Sequence, residues 1–213
     1  MLRELRRLGF ELVVATPHMR PGLFDNDRPT LEAAFEQQRH FEQEPDLPRV
    51  ELSAEHYFDD VVYQRLLDGA GLPYPGGRAV LLEFYEMDLP PTIDHLLARL
   101  RRQGLVPVIA HPERYRAIWR SPDTLERLLD TGAVALLDSA ALIGKYGSRP
   151  QRSARELLER GLYGAACSDA HRPKDVAEVE KAMAWIERRY GTEEIQQLFS
   201  SGPKAILQGT ATP

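Results

Sequence analysis

Short apolar, β-branched runs alternate along the chain with longer segments whose hydrophobic residues recur at helical spacing. This pattern predicts strands at Phe10–Ala15, Val50–Ser53, Ala79–Phe84, Val106–Ala110, Ala133–Leu137 and Gly164–Cys167. Helices are predicted at Thr30–Glu44, Val61–Leu67, Thr92–Gln103, Pro122–Asp130, Gln151–Arg160, Val176–Arg189 and Glu193–Leu198. In the third of these, Ile93, Leu96, Leu97 and Leu100 share one face. Ser121-Pro-Asp-Thr has the chemistry of an N-cap followed by proline at the first helical position. Gly104, Gly132 and Gly161 each close a helix and precede a strand. Repeated βα units predict an α/β fold built on a parallel sheet or barrel. The chain opens in a helical segment ahead of the first strand. A barrel begun in that order lacks a first strand and has two unpaired edges.

The 213 residues show no linker, low-complexity tract or repeat, so one domain over 1–213 is expected. Gly69–Arg78, rich in glycine and proline, is a loop inside it. A formal charge of -5 disfavours nucleic-acid partners bound through a broad basic surface. No apolar run approaches the ~18 residues of a membrane span, so no direct membrane insertion is expected. The charged amphipathic N-terminus has no signal-peptide core, and the single cysteine, Cys167, fits a reducing compartment. A cytoplasmic protein is therefore expected.

The candidate chemistry lies where strands end. Phe10–Ala15 runs into His18, Val50–Ser53 into Glu55, and Ala79–Leu82 into Glu83 and Glu86. Val106–Ala110 runs into His111-Pro-Glu-Arg114-Tyr115, and Gly164–Cys167 into Ser168-Asp169-Ala-His171. Each of these residues alone has an ordinary reading as a solvated loop carboxylate, a hydrogen-bonded histidine or a helix cap. Their common position is the signal, because the C-terminal strand ends of a βα barrel converge on one face. Imidazole nitrogen with carboxylate oxygen suits Mn, Fe or Zn. Elsewhere, His40 is read as a surface residue, His95 as packed or half-exposed, and His56 as a neighbour of Glu55 with no assigned role. Cys167, in Ala-Ala-Cys, is read as a buried small hydrophobe outside any Cys-x5-Arg phosphate loop.

Together, Val14-Ala-Thr-Pro-His18, Ser53-Ala-Glu55, Leu81-Leu-Glu83-Phe, Val108-Ile-Ala-His111-Pro-Glu-Arg114-Tyr115 and Ser168-Asp169-Ala-His171 resemble the PHP (polymerase and histidinol phosphatase) family. Within it they are most similar to the protein tyrosine phosphatases of bacterial capsule and exopolysaccharide loci. The resemblance implies a distorted (β/α)7 barrel holding up to three divalent ions, usually Mn. By motif, Glu55 would bridge two metals, and Glu83 and His111 would complete the second. His18 and His171 would hold the third, and Asp169 would belong to the first. Arg114 would engage the phosphate, with Arg172 as a second cation.

The family opens with a strand ending in Asp-x-His-x-His, which this chain lacks; an N-terminally incomplete domain is thus expected, with homo-oligomers formed through open edges. The implied reaction is hydrolysis of phosphotyrosine on the tail of a tyrosine autokinase that controls polysaccharide export. The competing readings are another PHP phosphoesterase, histidinol-phosphatase-like or acting on nucleic-acid ends, and a catalytically impaired regulatory protein.

Overall fold

The computed structural model describes residues 1–39 and 44–212. Helix α1 (Leu2–Arg7) precedes strand β1 (Leu12–Ala15), β2 (His18–Met19) and α2 (Arg28–Gln38). Then come β3 (Arg49–Leu52), β4 (Glu55–Tyr57), α3 (Asp60–Leu67), β5 (Ala79–Glu83), α4 (Ile93–Arg102) and β6 (Val106–Ala110). The rest comprises α5 (Arg116–Arg120), α6 (Asp123–Leu129), β7 (Val134–Asp138), α7 (Ser148–Glu159), β8 (Ala165–Cys167), α8 (Val176–Tyr190), α9 (Thr192–Gln196) and α10 (Gly202–Gln208). The predicted βα alternation is present, with most boundaries within a residue or two. The expected helix Thr30–Glu44 corresponds to α2; residues 40–43, His40 among them, lie outside the described residues.

All strand pairings are parallel, in the orders β1-β3 and β2-β4-β5-β6-β7-β8. Two strand positions are interrupted, which the hydrophobic pattern did not predict. The first break falls at Thr16-Pro17, where proline has no N–H to give the ladder. In the second, the Ala54 amide and the Ser53 hydroxyl both turn to the Leu72 carbonyl, each at 3.1 Å. Pairing resumes at once: Ser53 N donates to Ala15 O and Glu55 N to Pro17 O. Beyond the breaks, His18 is in register with Glu55, and Glu55 with Leu81.

Both faces of the sheet are apolar, as helices covering a parallel sheet require. Val80, Leu82, Ile109, Ala135 and Leu137 pack outward against Leu97, Leu100, Leu128 and Leu157 of the helices. The alternate residues, Leu81, Val108, Ala110, Val134, Leu136 and Ala165, form the inner cluster with Tyr74 and Ile206. At the base of that cluster Gly202 allows α10 its close approach, since a Cβ there would lie 2.0 Å from the Gly164 carbonyl oxygen.

The barrel does not close among the described residues: β1 and β2 at one side and β8 at the other pair on one edge only. A cleft of about 960 Å³ lies between them, floored by Val14, Leu136 and Cys167 and flanked by Leu5 and Phe199. Helix α1 is tied across to α8 by a two-pronged ion pair of Arg7 with Glu180, at 3.0 and 2.9 Å. No helix among the described residues is long and apolar enough to cross a membrane.

Helix α4 is the sharpest test of this packing, because Leu97 is fully buried against the sheet. Leu97→Ala is expected to lower stability by about 2–5 kcal/mol, read from the denaturant midpoint in urea.

Candidate metal and phosphate site

Six strand-end residues converge on the C-terminal face. The interior parity of β4 and β5 directs Glu55 and Glu83 inward, since both continue the row of Leu81. His18 Nε2 lies 3.3 Å from Glu55 Oε2 and 3.3 Å from Glu83 Oε2. His111 Nε2 lies 3.1 Å from Glu55 Oε1 and 3.8 Å from Glu83 Oε1. Alternation along β6 would send His111 outward, beside Ile109, but its φ of 34° turns the chain back toward the interior. Asp169, at the end of β8, has a φ of 40°. These two are the only non-glycine residues with positive φ among the described residues, and both stand in the site, where strained backbone collects.

Two carboxylates sharing a buried site need positive charge between them. The imidazoles of His18 and His111 stand at contact distance from both. The His18 pKa is raised, chiefly by its hydrogen bond with Glu83. Burial opposes a charge on His111, but the bond to Glu55 outweighs it and raises that pKa as well. Burial pushes Glu83 up, yet His18 and His111 bring it below the usual range. The donor set fits a divalent cation. His18, Glu55 and Glu83 each offer a ligand atom within 4.8 Å of one another. Glu83 Oε2 is buried without a well-directed hydrogen bond, and so is His111 Nδ1.

Asp169 and His171 lie on the opposite wall, across the cleft from His18. The Asp169 carboxylate binds Arg114 Nη1 at 3.3 Å, and the His171 ring, largely exposed, turns to the Asp169 carbonyl at 3.0 Å. Arg114 is gripped again by Glu86 at 3.3 Å. Arg172 is exposed and lines a smaller side pocket with Arg114.

The turn after β6 explains its own sequence. Glu113 is fully buried; its Oε1 accepts the Asp138 amide and its Oε2 meets the Tyr163 hydroxyl, both at 3.0 Å. The Tyr115 hydroxyl donates to Ala110 O at 2.8 Å and accepts from Phe84 N at 3.1 Å. His111 and Arg114 therefore project from a turn held from below by their neighbours.

Sequence reasoning missed two residues here. Burial and the neighbouring Asp138 push Glu113 up to about 8. Asp138, fully buried at the end of β7, is pushed up to about 6 by burial and by Asp169. It directly follows the one predicted strand for which no chemical residue was assigned, so the signal that found the others was present there too.

Other expectations change with the packing. His56 is buried and neutral, its pKa lowered to about 4 by burial. Its ring donates to Leu81 O at 2.9 Å and accepts from Leu72 N at 3.1 Å, which makes it a structural clasp. His95 is exposed rather than packed. Cys167 is half-buried on the cleft floor rather than sealed in the core, and burial pushes its thiol well up.

A parallel α/β barrel with a carboxylate–imidazole cluster at its strand ends and an arginine beside it defines a metal-binding barrel protein of the phosphoester-hydrolase type. A sequence model of the family described as "Capsular polysaccharide synthesis, CpsB/CapC" matches residues 1–208, and the chain belongs to that family. It is 29% identical to the tyrosine-protein phosphatase YwqE of Bacillus subtilis (strain 168), over 91% of this chain and 77% of the relative. It is 27% identical to the tyrosine-protein phosphatase CpsB of Streptococcus pneumoniae, over 97% and 88%. Among solved structures it matches one from a study of YwqE and CpsB, described there as unique metal-dependent tyrosine phosphatases. That likeness has a TM-score of 0.87 and 27% identity, covering 100% of this chain and 87% of the other.

The buried Glu113 carries a pH prediction. Between the unfolded value near 4.5 and about 8 the folded protein holds a proton that the unfolded chain has lost. Stability contributed by this group is therefore full below the unfolded pKa and declines as pH rises toward 8. Glu113→Gln keeps an acceptor for the Asp138 amide, and the Tyr163 hydroxyl can turn to accept from its Nε2, so thermal melts from pH 5 to 9 should show a shallower decline than in the parent protein.

Proposed function

We propose that the chain is a metal-dependent protein tyrosine phosphatase. The observation that carries this reading is the cluster of His18, Glu55, Glu83 and His111 at the strand ends, with the Arg114–Asp169 ion pair beside it. Divalent ions held by the cluster would supply Lewis-acid activation of the phosphoryl group and of water. Glu55, in reach of both His18 and His111, would serve more than one ion; Glu83 and His111 would hold one ion with it, and His18, Asp169 and His171 would serve the others. Arg114, kept in place by Asp169 and Glu86, presents its guanidinium to the phosphoryl oxygens. The half-buried thiol of Cys167, its pKa pushed well up, is unsuited to act as nucleophile. The relatives' names support phosphotyrosine as substrate. Manganese as the ion, a tyrosine autokinase tail as the partner, and a cytoplasmic site of action complete the reading.

The test is turnover of a phosphotyrosine peptide. Activity should vanish after chelation, return with Mn, and survive thiol alkylation; retention without metal, or loss on alkylation, refutes the mechanism. Glu55→Gln should lower kcat/KM by about a hundredfold or more, equivalent to ~3 kcal/mol of transition-state stabilisation. Because His18 and His111 hold protons more tightly than free imidazole, Mn affinity measured by calorimetry should weaken as pH falls below 7, each ion displacing protons.

A further inference from the structure

Large hydrophobic side chains left in solvent are few among the described residues: Met1, Leu23, Phe24, Val61, Tyr85 and Met87. Four of the six lie on two loops, Leu23 and Phe24 after β2, Tyr85 and Met87 after β5. Those strands carry His18 and Glu83 of the metal cluster. Scattered exposed apolar residues are ordinary, whereas a group of them at the mouth of a charged site is not. The half-buried Tyr57 belongs with them. It lies on the same face of β4 as Glu55, two residues nearer the C-terminal end, and is in register with Glu83. An aromatic tier of Phe24, Tyr57 and Tyr85 thus follows the tier of metal ligands on three neighbouring strands.

Phe24 is in direct ring contact with a ligand. It stacks on the His18 imidazole, with 5.3 Å between centroids and 28° between planes, yet the residue stays 46% exposed. The loop that carries it is bonded at several points. Arg20 and Phe24 exchange backbone hydrogen bonds at 3.0 and 2.7 Å, across a turn in which Gly22 has a φ of 79°. Asp25 Oδ1 accepts the Gly22 amide at 2.7 Å, and the Asn26 side-chain amide donates to the His18 carbonyl at 2.7 Å. The Arg20 guanidinium lies 3.8 Å from the Tyr57 ring centroid, which ties the turn to the end of β4 and occupies one face of that ring. The loop therefore presents a phenyl ring to solvent beside a metal ligand, and the free energy of burying that ring is unrealised until something covers it.

We infer that Phe24 is the aryl-recognition residue of the site: its exposed ring packs against the phenyl group of a phosphate ester seated on the metal cluster, and so favours aromatic over aliphatic esters. The inference rests on the phosphatase reading. It supplies a selectivity that the metal ligands and Arg114 lack, since those groups bind a phosphoryl group whatever carries it. Ring against ring adds offset or edge-to-face attraction to the apolar area removed from water, which an aliphatic ester does not offer.

The experiment measures binding apart from turnover. Benzylphosphonate and ethylphosphonate, in which a methylene replaces the ester oxygen, are titrated by calorimetry into the Mn-loaded protein, and the ratio of the two Kd values is read. The benzyl ligand should bind about tenfold more tightly. Phe24→Leu, which keeps an apolar cover on His18 but removes the ring, should cut that ratio by about fivefold, and Phe24→Tyr should hold it. Equal proportional loss of affinity for both ligands in Phe24→Leu, or loss of its Mn, would show a role limited to supporting His18 and overturns the inference. So does a ratio near one in the parent protein, or failure of benzylphosphonate to bind. The phosphatase reading is judged separately, by kcat on a phosphotyrosine peptide. Preference for the aryl ligand without turnover refutes that reading and leaves the role of Phe24 standing, whereas turnover with a ratio near one refutes the role of Phe24 alone.

Discussion

The structure depends on burying two carboxylates, Glu55 and Glu83, in the mouth of an apolar barrel. Glu55 is nearly excluded from solvent, and Leu81, Val108 and Ala110 lie just beneath it. Negative charge in such a place is sustained only by cations at contact distance. Much of the surrounding architecture supplies them. Two histidines from different strands close on the same carboxylate pair, and a guanidinium stands at the rim. A divalent ion would compete with protons for the same imidazole nitrogens, so metal binding and imidazole titration are coupled.

Meeting that demand requires local departures from regular sheet. Pro17 and Ala54 interrupt two strand positions immediately before His18 and Glu55, and pairing resumes with those residues in register. The left-handed backbone at His111 reverses the face that β6 would assign to its side chain. Such conformations persist only where neighbours hold them, and Glu113 and Tyr115 do so from below. The motif His-Pro-Glu-Arg-Tyr thus divides its labour: the first residue faces the cleft, the fourth lines the side pocket beside it, and the third and fifth anchor the turn. Glu113 is held by the Asp138 amide of β7 and the Tyr163 hydroxyl, and Tyr115 by backbone of Ala110 and Phe84, which makes the site a property of several strands at once.

The opposite wall is built differently. Asp169 and His171 follow a three-residue strand whose far edge is unpaired among the described residues, and the His171 ring is largely in solvent. The C-terminal face is thus asymmetric, with one side on β4–β6, paired on both edges, and a more open side on β8 next to the side pocket. A long substrate segment would reach the cluster across the open side.

The order of elements, their parallel arrangement and the strand-end position of His18, Glu55, Glu83, His111, Asp169 and His171 were legible in the sequence by itself. Hydrophobic period and glycine placement report local structure, and parallel strands carry their C-terminal ends to one face. The family motifs were legible for the same reason, since they are short and sit on those ends. What only the tertiary structure decided is how the side chains are used. Nothing local shows that Glu113 is fully buried or that Asp138 stands beside Asp169. Nor does it show that His56 spends both ring nitrogens on the backbone, or that Cys167 faces an open cleft. Those facts depend on which groups from distant segments arrive at each polar atom, and on whether water is left to compete with them.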